Sequence, residues 1–324
     1  MAGKLIDISE VGIVFLSYDE ANAETNWARL LQVAPWAKRS HGIQGFDAAH
    51  KVAAKLVSSE YVLTVDGDNW VFPEFFDLAL ELPEALTSKV LSWNSRNVVN
   101  GLCYGNGGLK LWPRDYLMDM KTHEASERPE TATDFCWGGD YVQMHNLYSE
   151  TRPNGSVHQA WRSGFREGVK MTFVDGKPSD PEQFLVAVHE QTRRRLYQWC
   201  TLGAHAVNGS ACVFGAIEGM WNALCNESFD HTIIRDYDKL SQRYHYGAAS
   251  SDEYEVFDQH CEDCGVRRET NESAEEAMAI EIEEVCDVRL RFVTDPLVSQ
   301  SIVENYLPVH RNSRDPLKLE GGDV

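Results

Sequence analysis

Hydrophobic positions in the first hundred residues alternate between two periods. Gly12 to Leu16 is a compact apolar run that ends at Ser17-Tyr18-Asp19-Glu20, the pattern of a buried strand entering a polar loop. From Asn22 to Val33, Trp27, Leu30 and Leu31 recur at helical spacing, and Pro35 stops the pattern. Ala37 to Ser40 reads as a short second strand. Gly42 and Gly45 bracket a turn, after which Phe46, Ala49, Val52 and Ala53 mark the inward face of a helix over 46–56. Tyr61 to Val65 is a third buried strand, ending at Asp66. Strand-helix-strand-helix-strand with short connections predicts a parallel sheet covered by helices on both faces.

The pattern loosens beyond residue 90. Val90 to Trp93 is a further strand candidate, followed by a Gly/Asn-rich stretch over 97–108 and the apolar run Leu109 to Pro113. A polar stretch runs from His123 to Asp134. Residues 184–199, 211–224 and 274–286 read as helices, with a domain boundary expected near Asp180-Pro181.

Composition and charge add to this picture. The chain has 324 residues, 43% of them hydrophobic, which suffices for one sizeable core or a core plus a smaller lobe. No apolar run is long enough to cross a bilayer, and the N-terminal residues lack a basic segment followed by an apolar one, so a cytoplasmic protein is expected. The eight cysteines fit that placement as reduced, mostly buried thiols. His260, Cys261 and Cys264, with Cys286 as a further ligand, make at most part of a zinc site. The net charge of −20 is unevenly spread: residues 251–288 hold fourteen acids and two arginines. Basic clusters remain elsewhere, with Arg162, Arg166 and Lys170 at helical spacing and Arg193, Arg194 and Arg195 in a row. They are candidate contacts to a polyanion or, equally, solvated helix faces.

Ligands of open parallel sheets bind beyond the carboxyl ends of the strands. Two such ends carry acids, Asp19-Glu20 and Asp66-Gly67-Asp68. The glycine-rich signatures of dinucleotide and P-loop sites are absent. Two carboxylates separated by one glycine suit a hard divalent cation, Mg²⁺ or Mn²⁺, which shares protein oxygens with substrate phosphates. Gly67 lets the chain turn sharply and a ligand approach closely. A cation there would neutralise a diphosphate leaving group.

Further blocks carry a family likeness. Ser17 to Trp27, Trp36 to Arg39, Gly42 to Gly45, Ala48 to Lys51 and Val65 to Asn69, then Asn100 to Lys110, Thr133-Asp134 and Ala160 to Lys170, resemble the GT-A-fold glycosyltransferases of bacteriophages known as TET/JBP-associated glycosyltransferases. The base J glucosyltransferase looks like a relative. The likeness spans roughly residues 11–215 and leaves the acidic region uncovered. It implies an α/β fold of the Rossmann-like nucleotide-diphospho-sugar transferase type: a mixed, mainly parallel sheet over residues 1–180 and a mostly helical region over 181–324 that completes the site. It further implies transfer of a sugar from a UDP-sugar to the hydroxymethyl group of 5-hydroxymethylcytosine, or 5-hydroxymethyluracil, in phage DNA, shielding the genome from host nucleases.

On that likeness Ser17, Tyr18 and Asp19 would hold uracil and ribose, with Gly45 and His50 lining the same pocket. Asp66, Gly67 and Asp68 would hold cation and donor. Gly107, Gly108 and Lys110 would lie across donor sugar and acceptor. His158, or else His205, would be a third cation ligand; Asp134 or Asp140 would be the base that takes the acceptor proton if the reaction inverts configuration, and the donor phosphate would take it if the reaction retains configuration. Arg162, Arg166, Arg193 and Arg194 would contact DNA phosphates. Trp93, Tyr104, Trp112 and Trp137 are candidate surfaces for a base reached in the groove or flipped out. The same fold also serves glycosyltransferases of cell-envelope glycans. Nucleotidyltransferases use a similar sheet but usually carry a basic glycine-rich loop where this chain has Tyr18 to Asn22.

Overall fold

The structure is a computed structural model that describes residues 3–105, 108–122, 140–246 and 272–305. Contacts divide the chain into two compact units, the first comprising residues 1–155 with 304–324 and the second residues 156–303.

The first unit is α/β. Its strands are β1 (Lys4–Asp7), β2 (Gly12–Ser17), β3 (Lys38–His41), β4 (Tyr61–Asp66), β5 (Asn69–Val71), β6 (Ala79–Leu82), β7 (Val90–Asn97), β8 (Cys103–Tyr104), β9 (Lys110–Pro113) and β10 (Tyr141–Thr151). Helices α1 (Ala23–Val33), α2 (Phe46–Leu56) and α3 (Arg114–Asp119) connect or follow them. Eight strands form the main sheet in the order β3-β2-β4-β9-β7-β10-β5, with β8 paired to β7. β2, β3 and β4 run parallel, as do β7 and β10. β9 is antiparallel to both β4 and β7, so β2, β3, β4, β7 and β10 all point the same way. β1 and β6 form a separate antiparallel pair.

Buried strands alternate between two apolar layers, which is why their sequences read as continuous apolar runs. Ile13, Phe15, Leu63, Val65, Leu91, Trp93 and Leu111 pack with Leu30 of α1, with Ala34 that caps it, and with Phe75 and Phe76. Val14, Leu16, Val62, Val90 and Trp112 pack with Ala53 and Ala54 of α2 and Leu117 of α3. Trp93 and Trp112 are fully buried, and the Trp112 indole N–H donates to Thr64 Oγ1 at 2.8 Å. Both are core side chains and not surfaces for a nucleobase; Tyr104 is half-buried, and Trp137 lies outside the described residues. Gly42 and Gly45 take positive φ of 67° and 89°, which glycine alone adopts readily, so the chain enters α2 sharply.

The second unit is mostly helical: α4 (Val157–Lys170), α5 (Phe184–Ala187), α6 (Glu190–Thr201), α7 (Gly209–Cys225), α8 (Tyr237–Tyr246), α9 (Glu272–Cys286) and α10 (Pro296–Asn305), with the short hairpin β11 (Phe173–Val174) and β12 (Lys177–Pro178). The helix expected over 184–199 is broken, because Val188 is extended and His189 caps α6 by accepting the Gln191 N–H. Helices α4 and α7 meet backbone to backbone. A Cβ on Gly164 would lie 1.9 Å from the Cys212 carbonyl oxygen, and one on Gly219 would lie 2.2 Å from that of Phe165. This packing draws α4 into the helical unit, and the division falls at Gly155–Ser156, earlier than the expected boundary near 180.

Together these elements are the expected fold class, a Rossmann-like sheet with helices on both faces and a mostly helical C-terminal region. Among the described residues no helix is long and apolar enough to cross a membrane.

Candidate active site

The parallel strands converge at their carboxyl ends on Ser17, His41 and Asp66. The Asp66-Gly67-Asp68 turn links β4 to β5 and is held by main-chain bonds. The Asp66 N–H donates to the Gly108 carbonyl at 3.2 Å, and the Arg152 N–H donates to that of Asp68 at 2.7 Å. The buried side chain of Asn26, from α1, donates to the Gly67 carbonyl at 2.8 Å.

Two glycines permit close approaches here. A Cβ on Gly108 would fall 1.9 Å from the Asp66 carboxyl carbon, and one on Gly67 would fall 2.7 Å from Glu20 Oε2. The carboxylate of Glu20, in the loop after β2, therefore lies against the turn. Its Oε2 also accepts the Tyr18 N–H at 2.8 Å, which folds the loop after β2 back on itself. The loop after β2 thus brings Glu20 to the tight turn that Asp66 opens at the end of β4.

A polar triad closes the neighbouring strand ends. Ser17 Oγ is 2.9 Å from His41 Nδ1, and Arg39 Nε donates to Ser17 Oγ at 3.0 Å. Arg39 also reaches His41 Nδ1 at 3.2 Å, so that nitrogen accepts and the imidazole carries its proton on Nε2. Sequence reasoning placed Ser17 here but gave no role to Arg39 or His41. Their signal was their position at the end of the second strand.

His50 is buried on the α2 side of the sheet, its ring 5.5 Å from that of Trp112. Its Nδ1 donates to the Phe46 carbonyl at 2.8 Å. Burial pushes its pKa below the ordinary histidine value; Asp66 opposes that shift and Lys110 adds to it. Lys110 is buried at the start of β9, in register with Thr64 and Ser92. Acid, lysine and histidine thus share one face of the sheet beside the turn. Tyr18 is half-buried and Asp19 exposed next to them.

Other expected site residues lie elsewhere. Asp140 pairs with Lys89 at 2.9 Å, and its carbonyl accepts the Val90 N–H, at the amino ends of β7 and β10. A six-residue strand spans roughly 17–20 Å. Asp140 is therefore at the wrong edge to take a proton beside Asp66. Asp134 and Gly107 lie outside the described residues.

Within the second unit, His158 Nε2 is 3.4 Å from Ser241 Oγ, and its ring packs against Tyr244 and His245. His205 Nδ1 is 2.9 Å from Ser299 Oγ. Arg162 is only 4% exposed and lies over the Tyr237 ring. Arg166 donates to the Ile234 carbonyl and the Tyr237 hydroxyl. Both arginines are engaged inside the unit, which corrects the expectation of phosphate contacts there: their helical spacing marks a packed face. Arg193 Nε donates to the Val188 carbonyl, whereas Arg194 is exposed and paired with Glu190.

The five described cysteines are free. Burial pushes the Cys200 and Cys212 thiols up, so they stay protonated. Cys286, the suggested zinc ligand, pairs with the Cys225 thiol, while Cys261 and Cys264 lie outside the described residues.

Among the described residues no three His, Cys, Asp or Glu side chains cluster closely enough to hold a metal alone. The acidic turn nonetheless fits Mg²⁺ or Mn²⁺ chemically. Such ions commonly take one or two protein carboxylates and fill the remaining positions with phosphates and water.

No protein-family model and no curated protein matches the chain. Solved structures do match. The S. aureus TarS 1-349 structure in complex with UDP is 12% identical, with a TM-score of 0.31, covering 80% of this chain and 93% of its own. A second S. aureus TarS 1-349 structure is 14% identical, with a TM-score of 0.30 and the same coverage. The likeness is one of chain coverage, and the functional reading rests on the site's own geometry.

Proposed function

We propose that the chain is a GT-A glycosyltransferase that moves a sugar from a UDP-sugar to the hydroxymethyl group of 5-hydroxymethylcytosine, or 5-hydroxymethyluracil, in phage DNA. The observation that carries the transferase reading is the tight Asp66-Gly67-Asp68 turn, flanked by Glu20 and closed by Gly108 at the carboxyl edge of a parallel sheet. The choice of acceptor rests on the sequence blocks that resemble the phage family.

Asp68 and Asp66 would hold the cation, which when bound supplies positive charge to the diphosphate leaving group. Ser17, Arg39 and His41 would line the nucleotide end, where a hydroxyl and a guanidinium offer donors to uracil and ribose. Lys110 adds a fixed positive charge on the same face, suited to the charge that builds on the departing diphosphate. His50, kept neutral by burial, has its Nδ1 proton committed to Phe46 and serves as a wall of the donor pocket. In the transfer, the acceptor oxygen bonds to the anomeric carbon as the bond to the diphosphate breaks. The acceptor proton passes to a protein base, Asp134 rather than the far-edge Asp140, if the reaction inverts configuration, and to the donor phosphate if it retains it.

The test is nucleoside mass spectrometry of hydroxymethylated DNA after incubation with Mn²⁺ and a panel of UDP-sugars. Added hexose or pentose mass on the modified base is the expected result. No added mass with any donor, alongside transfer to a cell-envelope glycan, would overturn the DNA acceptor.

A further inference from the structure

Helix α1 turns a polar side chain into the core. Its buried residues are Ala23, Asn26 and Leu30, three and four positions apart and so on one face of the helix. A leucine would bury that face equally well, whereas an amide gives up its water there and must find partners for both of its ends. Asn26 is only 2% exposed and finds both. Its Nδ2 donates to the Gly67 carbonyl at 2.8 Å, and its Oδ1 accepts the indole N–H of Trp70.

These two contacts set the orientation of the amide. Trp70 stands on β5 in register with Glu150 of β10, so the indole that holds Asn26 is mounted on the sheet. With Oδ1 taken by an N–H, the NH₂ end is the one that meets Gly67. A second amide one helical turn earlier acts on the end of the acidic turn. Asn22 Nδ2 donates to the Arg152 carbonyl at 2.8 Å, and the Arg152 N–H donates to the Asp68 carbonyl at 2.7 Å. The middle of the turn is thus held directly from α1, and its end through the residue that follows β10. Both bonds finish on main-chain carbonyls, and neither consumes a carboxylate oxygen of Asp66 or Asp68.

We propose that Asn26 is a positioning residue for the acidic turn: its amide fixes the Gly67 carbonyl, and with it the angle at which the Asp66 and Asp68 carboxylates meet a divalent cation carrying a nucleoside diphosphate. This rests on the transferase reading above. Mg²⁺ demands near-octahedral geometry, and a turn centred on glycine has the widest backbone freedom, so its carboxylates need a brace from outside. Asn26 acts through Gly67 and is not itself a ligand. Groups that stand behind metal ligands in this way commonly change metal affinity by about tenfold or more when removed.

Calorimetric titration of UDP with Mn²⁺ present, and amide exchange over residues 66–70 with neither added, test the brace. Asn26→Asp keeps the size of the side chain and the acceptor for Trp70 but loses the donor to Gly67. It is expected to weaken UDP binding in Mn²⁺ by about tenfold near pH 8. Burial beside acids raises the introduced carboxyl, and once protonated it donates to Gly67 again, so the gap to the wild type is expected to close toward about pH 5. Asn26→Ser, too short to reach Gly67, is expected to lose as much at every pH. Trp70→Phe keeps the donor and is expected to lose less than either. Faster exchange at the turn with α2 unchanged is expected in both Asn26 variants, and melting midpoints report the fold. A loss in Asn26→Asp that ignores pH, or wild-type affinity and exchange in Asn26→Ser, would overturn the proposal. A wild type that binds no UDP in Mn²⁺ removes the transferase reading instead. Amide exchange then decides the brace alone: faster exchange sustains it, and unchanged exchange ends it.

Discussion

At the scale of single residues, the site is defined by what cannot be added. Gly108 and Asp66 are in contact to the point that a methyl group has no room, so Gly108→Ala must displace the carboxylate or the strand. Gly108→Ala is expected to lower sugar transfer by about 100-fold, in line with the loss from small misplacements at a reacting centre, while the melting midpoint moves little. A steady-state assay beside a thermal melt checks both. His50 yields a pH prediction. Its folded pKa is depressed by burial, so between its folded pKa and the ordinary value of about 6.5 the unfolded chain binds more protons. The stability it contributes is present above that ordinary value and is lost as pH falls through the folded pKa. Urea midpoints from pH 8 to pH 5 are expected to drop less steeply for His50→Gln than for the wild type. Equal slopes would show that His50 is not held neutral by its surroundings.

At the scale of elements, the strand ends and the α4–α7 pair do different work. Helix α7 is apolar nearly all round, and glycines at 164 and 168 on α4 and 215 and 219 on α7 let the backbones touch. Gly164→Ala is expected to cost about 1–3 kcal/mol in chemical denaturation through overpacking, whereas Ser163→Ala is expected to stay within about 0.5 kcal/mol. The spacing of Arg162, Arg166 and Lys170 was legible as one helix face. That Arg162 and Arg166 point into the packing around Tyr237 was not, because periodicity gives the face and not its neighbour. The β2 to β4 segment was legible almost residue by residue, since buried parallel strands and amphipathic helices leave strong and distinct periods. β10 escaped notice because Gln143, His145 and Asn146 interrupt its apolar pattern. The register with β7 shifts on either side of Leu147, which accommodates those residues.

At the scale of the whole molecule, charge opposes the proposed acceptor. Seven acids lie in residues 251–269 alone, and a strongly negative protein repels DNA over distances of about one Debye length, roughly 10 Å at 0.1 M salt. Replacing those seven with Asn or Gln is expected to tighten duplex binding at low salt and to have no effect at about 1 M, where screening reaches only about 3 Å. Anisotropy at both salt concentrations checks this, and an equal gain at both would show that the acids act by contact. The linear chain by itself determined the strand-helix alternation, the parallel direction of β2, β3 and β4 and the acid-glycine-acid turn beyond β4. Each of these is a local or near-local property written in hydrophobic period and turn chemistry. Only the tertiary structure decided which side chains share an edge. Glu20, Asn26 and Gly108 are brought to the turn, and Arg39 to Ser17 at the neighbouring strand end, by the order in which strands pair and by a helix laid across them, while Asp140 is carried to the far edge by the direction of β10. Strand order and direction depend on contacts between residues far apart in the chain, and no local period encodes them.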